Sequence, residues 1–131
     1  MLSQEEALRA YAVMMNTLDA TQFEPLMADD FHYTSQKVFH EIESKQEYLT
    51  YIRAKFKALK ETESEVWAEL GKIKESSLLL GAGGPCVVLA QGSIEDIVAV
   101  VVAEVEGDKI ARMDMCLPGL FSGERSGEYP R

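Results

Sequence analysis

A valine-rich segment at residues 95–105 is followed by the turn sequence Glu106-Gly107-Asp108 and then by a second alternating segment at residues 109–117. β-Branched residues favour extended backbone, and a short glycine-containing turn between two such runs is typical of a β-hairpin. Residues 95–105 are the strongest β segment of the chain. The sequence therefore predicts a fold built around an antiparallel sheet.

Other segments also have the pattern of strands. In residues 31–35, Phe31, Tyr33 and Ser35 lie at alternate positions, which predicts a strand with these side chains on its inner face. The other predicted strands are residues 37–42, 66–73 and 86–91.

Three Ser/Thr-x-x-Glu sequences mark the starts of helices. In such a capping box the hydroxyl accepts a hydrogen bond from the amide three residues on, and the glutamate accepts one from the first residue's amide. Apolar residues at helical spacing follow each box, which predicts helices from Ser3 to about residue 18, over residues 22–28, and from Ser44 to about residue 63. Pro25 then lies in the first turn of the second helix, where proline is tolerated. The three pairs are Ser3 with Glu6, Thr21 with Glu24, and Ser44 with Glu47.

The order of these elements is helix, helix, a short β segment, helix, and then four strands. It predicts an α+β domain in which three N-terminal helices pack on one face of a curved, mostly antiparallel sheet. We predict a single domain over residues 1–119. From Pro118 onward Gly, Ser, Glu and Arg dominate, so residues 120–131 are predicted to form a flexible C-terminal tail.

Composition sets the size of the domain and limits its partners. The 131 residues, 47% of them apolar, are enough for one domain with a hydrophobic core. Acidic residues outnumber basic ones by 22 to 13, which gives a formal net charge of −9. Phosphate backbones and anionic lipid repel such a chain, so neither nucleic acid nor a membrane surface is predicted as a partner.

The sequence also predicts a cytoplasmic location. Glu5 and Arg9 lie where a signal peptide would have a basic end and an apolar run. The longest uninterrupted apolar run, residues 97–103, is seven residues long and too short to span a membrane. Without an export signal, Cys86 and Cys116 are predicted to be reduced and buried rather than bridged.

The N-terminal residues have a pattern found in one superfamily. It consists of Tyr11 on the first helix, Asp19 at its end, and the sequence Phe23-x-x-Leu26-Met27-Ala28-Asp29-Asp30-Phe31. This pattern resembles the opening of the nuclear transport factor 2-like superfamily, which includes ketosteroid isomerases, scytalone dehydratase and SnoaL-like polyketide cyclases. The resemblance covers residues 3–117. It implies a cone-shaped roll that encloses a pocket, usually in a homodimer.

The resemblance carries over only part of the isomerase site. Tyr11 lies where those isomerases keep the tyrosine that donates to the developing oxyanion. Their general base would fall at Ser35, and a serine cannot abstract a carbon-bound proton unaided. Their second acid would fall near Val101. Steroid isomerisation is therefore disfavoured. The scytalone-dehydratase arrangement needs a His and an Asp that converge in the pocket, and it is also disfavoured because His32 points outward if Tyr33 points inward.

We take Tyr11 and Asp114 as the catalytic candidates. Tyr11 lies on the apolar stripe of the first helix, where its hydroxyl needs a partner in the core or on a ligand. Two registers are open for the last strand: in the first, Arg112 and Asp114 face outward, and in the second, Asp114 is the best-placed carboxylate of the pocket. The candidate ligand-binding residues are Met15, Phe31, Tyr33, Ser35, Tyr51, Trp67, Val101, Met113 and Met115.

A metal site and a cofactor are not predicted. His32, His40, Glu41 and Glu43 have suitable side chains, but a dedicated site needs three or four converging ligands. Consecutive residues of a strand point to opposite faces, so His40 and Glu41 do not converge.

Two functions are predicted as alternatives. The first is binding of a small apolar molecule in the cone, with proton-transfer chemistry on a carbonyl compound as the reaction of an enzyme of this kind. The second is a non-catalytic homodimeric module with a protein-interaction or accessory role. In either case the homodimer would form through the outer sheet face, which carries Arg112 and Asp114 in the first register.

Overall fold

Two helices begin at the predicted capping boxes. In the computed structural model, which describes residues 1–35, 38–76, 84–118 and 121–131, helix α1 spans Gln4–Thr17 and helix α2 spans Lys45–Glu61. The Ser3 hydroxyl accepts a hydrogen bond from the Glu6 amide at 3.0 Å, and the Ser3 amide donates to Glu6 Oε1 at 2.9 Å. Both contacts of a capping box are therefore present at α1. No helix among the described residues has the length and apolar character needed to cross a bilayer.

The predicted helix at residues 22–28 is not formed. The chain has a single 3₁₀ turn at Glu24–Leu26, and a strand begins at Met27. Thr21 is not a helix cap, because its amide and hydroxyl both donate to Asp19 Oδ1, at 2.9 and 2.5 Å. Pro25 lacks an amide hydrogen and restricts the residue before it, which favours a short turn over a helix. The predicted count of three helices is thus not confirmed.

A mixed sheet provides the other layer. Its neighbours pair antiparallel, except for the parallel pair of the first and sixth strands, so the sheet is mostly antiparallel as predicted. Its spatial order is β2-β1-β6-β5-β4-β3-β7. The strands are β1 Met27–Ser35, β2 Val38–Ile42, β3 Val66–Ser76, β4 Pro85–Gln91, β5 Ile97–Glu106, β6 Lys109–Cys116 and β7 Phe121–Arg125.

The C-terminal segment adds a strand to the sheet, β7, within the residues 120–131 that the composition predicts to be a flexible tail. β7 pairs antiparallel with β3, with Gly71 opposite Arg125. Gly123 lies so close to β4 that a Cβ atom there would be 2.6 Å from the Val88 side chain. The glycine content that suggested a loose tail instead allows β7 to pack closely on the sheet.

Two apolar clusters lie on the two faces of the sheet. The helices cover the inner face, where α1 packs on β3, β4 and β5, and α2 packs on β1. The outer-face cluster contains both cysteines, which are free thiols as predicted. Burial raises the pKa of the Cys86 and Cys116 thiols to about 11, and for Cys116 the Asp114 charge adds to this. The outer-face cluster is Ile73, Cys86, Val88, Val100 and Cys116.

Candidate functional site

The two helices and the inner face of the sheet together form the cone. Aromatic side chains fill its centre, between α2 and β1. Tyr48 of α2 lies at the middle of this aromatic cluster, and its ring centroid is 5.0 Å from those of both Phe31 and Tyr33. Phe23 and Tyr51 extend the cluster on either side, at 6.4 and 6.1 Å from Tyr48. Because these side chains interlock, most of the cone is a packed core rather than a hollow one.

The buried tyrosines of this cluster are neutral hydroxyl groups. Burial raises the pKa of Tyr11, Tyr33 and Tyr48 well above the ordinary value, and neighbouring tyrosines add to the shift. The Tyr33 hydroxyl donates to Met115 Sδ at 3.6 Å. A phenol that stays protonated can donate a hydrogen bond but cannot act as a base near neutral pH.

Within the described part of the chain, a small cavity lies between α1, α2 and the inner face of the sheet. Its volume is about 140 Å³. Four of the predicted ligand-binding residues, Met15, Ser35, Tyr51 and Met115, line it. The other lining residues are Lys55, Val66, Leu89, Ala90, Gln91 and Val98.

The cavity has an apolar inner end and a polar mouth. Met15, Leu89 and Ala90 are almost completely buried, with 1 to 2% of their surface exposed. Lys55 is half-buried and Gln91 is exposed, so these two side chains lie at the opening. A ligand would therefore meet apolar walls inside and polar groups where it reaches solvent.

At least three surface grooves lined by described residues are larger than this cavity, with volumes of about 360, 400 and 480 Å³. The groove between α1 and β7 has a volume of about 480 Å³ and is lined by acidic and basic side chains, including Glu5, Lys72 and Glu128. The groove beside the end of α1, of about 360 Å³, is lined by Asp19, Lys60 and other polar residues. The 140 Å³ cavity is the better candidate site because its walls are mainly apolar and lie inside the cone.

Other predicted site residues belong to the packed core. Tyr11 is 1% exposed and packs edge-to-face on Phe23, with 6.1 Å between the ring centroids. Phe31, Val101 and Met113 are completely buried in the inner cluster. None of these four predicted residues lines the 140 Å³ cavity.

Trp67 lies on the outer face of the sheet. Its neighbours in β3, Val66 and Ala68, both contact the inner cluster, and side chains alternate along a strand. Trp67 therefore points away from the cone, and the prediction that it lines the pocket does not hold.

Asp114 also points away from the cone, because β6 has the first of the two registers considered. Met113 and Met115 face the inner cluster. The Thr34 hydroxyl donates to Asp114 Oδ1, and Arg112 Nε lies 3.1 Å from each carboxylate oxygen of Asp114. The sheet separates this carboxylate from Tyr11, so the two catalytic candidates are not brought together.

An ion-pair network joins Arg112 and Asp114 to β2 on the outer face. Arg112 Nη1 donates to Glu41 Oε1 at 3.1 Å, and His32 Nδ1 lies 3.3 Å from the same oxygen. Glu43 is close by: one ligand atom from each of His32, Glu41 and Glu43 lies within 4.8 Å of the others. Since Arg112 already places a positive charge beside Glu41, we interpret this group as an ion-pair network rather than a metal centre.

Sequence reasoning missed two important side chains of α2. Tyr48 lies four residues before Ile52, on the apolar stripe of the helix, so helical spacing could have found it. Lys55 lies four residues after Tyr51, which places both on the same side of the helix, over the cavity. The sequence places Lys55 with Arg53, Lys57 and Lys60 on a basic face of α2 that is predicted to be exposed. Arg53, Lys57 and Lys60 are exposed, but Lys55 is half-buried.

Comparison with known proteins identifies the fold. No family model and no curated protein matches the chain. Among solved structures, an NTF2-like protein of unknown function from Cytophaga hutchinsonii is similar, with a TM-score of 0.58 and 10% identity over 91% of this chain and 94% of that one. A SnoaL-like protein of unknown function from Burkholderia thailandensis has a TM-score of 0.58 and 14% identity over 88% and 97%.

An enzyme is also among the similar structures. An LEH-like epoxide hydrolase from M. tuberculosis has a TM-score of 0.54 and 17% identity over 85% of this chain and 81% of that one. The chain thus has the nuclear transport factor 2-like fold, as its N-terminal pattern predicts. This fold carries several kinds of chemistry, so it does not by itself specify a reaction.

Proposed function

We propose that this protein binds a small apolar molecule in the 140 Å³ cavity of the cone. The observation that carries the proposal is the apolar inner end of the cavity, where the buried side chains of Met15, Leu89 and Met115 line unfilled space. An apolar cavity of about 150 Å³ in another protein holds benzene. A ligand with one ring therefore matches the size of the cavity, and a steroid does not.

Binding is better supported than catalysis. Among the described lining residues, the titratable side chains are Tyr51 and Lys55. None of these residues is a carboxylate, an imidazole or a thiol, the usual general bases for removing a carbon-bound proton. The proton-transfer reaction predicted from the resemblance would have to use Lys55 or a water molecule as its base.

A thermal-shift and titration experiment tests the binding proposal. We expect phenol or benzyl alcohol to raise the unfolding temperature in a concentration-dependent way. At a ligand concentration of nine times Kd, binding should increase the free energy of unfolding by about 1.4 kcal/mol. Replacing Val98 with Phe would fill the cavity from its wall, because Val98 is a partly buried lining residue. We expect Val98→Phe to abolish the shift.

The matched control is the same substitution outside the cavity. Val102 lies on β5 like Val98 but contacts the outer-face cluster, so Val102→Phe is expected to keep ligand binding. A wild-type chain that is not stabilised by any single-ring compound, or a Val98→Phe variant that binds as well as the wild type, would contradict the proposal.

Homodimerisation through the outer sheet face is the second candidate function. It is favoured by the outer-face network, in which side chains from three strands stay 26 to 39% exposed. We expect sedimentation equilibrium to give a mass twice the 14.6 kDa of one chain. Replacing Val102, next to Asp114 on this face, with Arg should shift the mass toward the monomer because it puts a large charged side chain, which is costly to desolvate, into the interface. A wild-type chain that stays monomeric over a wide concentration range would exclude this function.

A further inference from the structure

We propose that the ligand of this cavity is a small anion, with an apolar ring inside and a carboxylate at the mouth that is bound by Lys55. This inference rests on the proposed function and names its ligand class. It starts from the charge of the lining: among the described residues around the cavity, Lys55 is the charged one, and its charge is positive. The mouth therefore carries a positive side chain although the chain as a whole has a net charge of −9.

The other polar groups of the lining suit the same ligand. Ser35, Tyr51 and Gln91 complete the polar lining, and each can donate a hydrogen bond. No described lining residue carries a carboxylate that would repel an anion. A neutral apolar ligand gains nothing from a lysine at the mouth, whereas a carboxylate gains a charge-assisted hydrogen bond.

The position of Lys55 on α2 separates it from the other basic residues of the helix. Lys55 is half-buried, while Arg53, Lys57 and Lys60 are exposed. Arg53 forms an ion pair with Glu24 at 2.9 Å, away from the cavity. Lys57 and Lys60 line the groove at the end of α1. Lys55 is the basic residue of α2 that lines the cavity.

The size of the cavity limits the ligand further. A volume of 140 Å³ accepts one six-membered ring, and a carboxylate attached to that ring would extend past the buried end toward Tyr51 and Lys55. Monocyclic aromatic or alicyclic carboxylates therefore fit, and long-chain fatty acids exceed the space. The apolar walls thus select for a ring, and the lysine at the mouth selects for a carboxylate on the same molecule.

Titration with two probes of similar size tests the inference. Benzoate carries the carboxylate, and benzyl alcohol is its neutral counterpart. We expect Lys55→Met to weaken benzoate binding about tenfold, the loss of one hydrogen bond to a charged group, and to weaken benzyl alcohol binding much less because the alcohol carries no charge. Lys57→Met is the matched control, because it removes the same charge from the exposed side of the same helix, and it should leave both affinities unchanged.

Two further measurements distinguish the loss of the Lys55 charge from a disturbance of the fold by the substitution. Lys55→Arg should retain benzoate binding, since the guanidinium can also donate to a carboxylate. Added salt should weaken the binding of benzoate but not that of benzyl alcohol. An equal benzoate affinity in the wild type and Lys55→Met overturns the inference, as does a wild-type chain that binds benzyl alcohol but not benzoate. If neither compound binds, the proposed function itself fails.

Discussion

Replacing Tyr48 with Ala is expected to lower the free energy of unfolding by about 3–5 kcal/mol, the range measured for large aromatic residues truncated in protein cores. Tyr48 is 1% exposed, and its ring contacts aromatic rings from β1, from α2 and from the segment before the 3₁₀ turn. Truncation would remove these contacts and leave a cavity that the flanking strand and helix cannot close without moving. Urea denaturation monitored by circular dichroism measures the loss.

Two variants show whether the ring or its surroundings cause this effect. Tyr48→Phe keeps the ring and removes only the hydroxyl, so its loss should be much smaller than that of Tyr48→Ala. Leu18→Ala changes a partly buried residue at the end of α1 and should also have a smaller effect. If Tyr48→Ala and Leu18→Ala destabilise equally, the aromatic cluster is not the main packing centre of the cone.

Features with a local chemical cause were predictable from the sequence. The Ser3 and Ser44 caps depend on residues three positions apart, and both are present in the structure. The β5–β6 hairpin depends on a turn in which Gly107 has a positive φ of 60°. In each case the residues that set the structure are adjacent in the sequence, so pattern alone identifies them.

Features that depend on distant residues were not predictable in the same way. The parallel pairing of β1 with β6 joins residues about eighty positions apart, as in Tyr33 opposite Met113. In that pairing the methionines of β6 point inward, so Asp114 lies on the outer face. The sequence alone leaves both registers of this strand open. Residue 123 illustrates the same limit: its glycine is explained by the side chains of Val88 and Cys86, which belong to another strand.

The candidate site was partly predictable for the same reason. Four of the predicted residues lie on the inward side of their own helix or strand and do line the cavity: Met15, Ser35, Tyr51 and Met115. Which inward residues face empty space and which are packed depends on how the aromatic side chains fill the cone. No local pattern contains that information, so Tyr11 and the lining residues could not be separated from the sequence.

Replacing Glu69 with Gln is expected to release the C-terminal segment and to lower the free energy of unfolding by about 1.5–3 kcal/mol, the range for hydrogen bonds to a charged group. Glu69 is 2% exposed, and it accepts hydrogen bonds from Arg125 Nε and the Gly127 amide, both at 2.6 Å. The Tyr129 hydroxyl also donates to it, at 3.0 Å. Arg125 is the last residue of β7 and the other two donors follow it, so one buried carboxylate holds the segment whose composition suggested a loose tail.

Hydrogen exchange would show where this loss occurs. In Glu69→Gln the Gly127 amide meets a side chain with one acceptor oxygen instead of two, and Arg125 loses the charge that it pairs with. The amides of residues 123–128 should exchange faster, while those of α1 keep their protection. Glu128→Gln is the control, because it removes a carboxylate of the same segment that forms an exposed pair with Arg9. Equal exchange in the two variants would mean that β3 pairing, and not Glu69, holds the C-terminal segment in place.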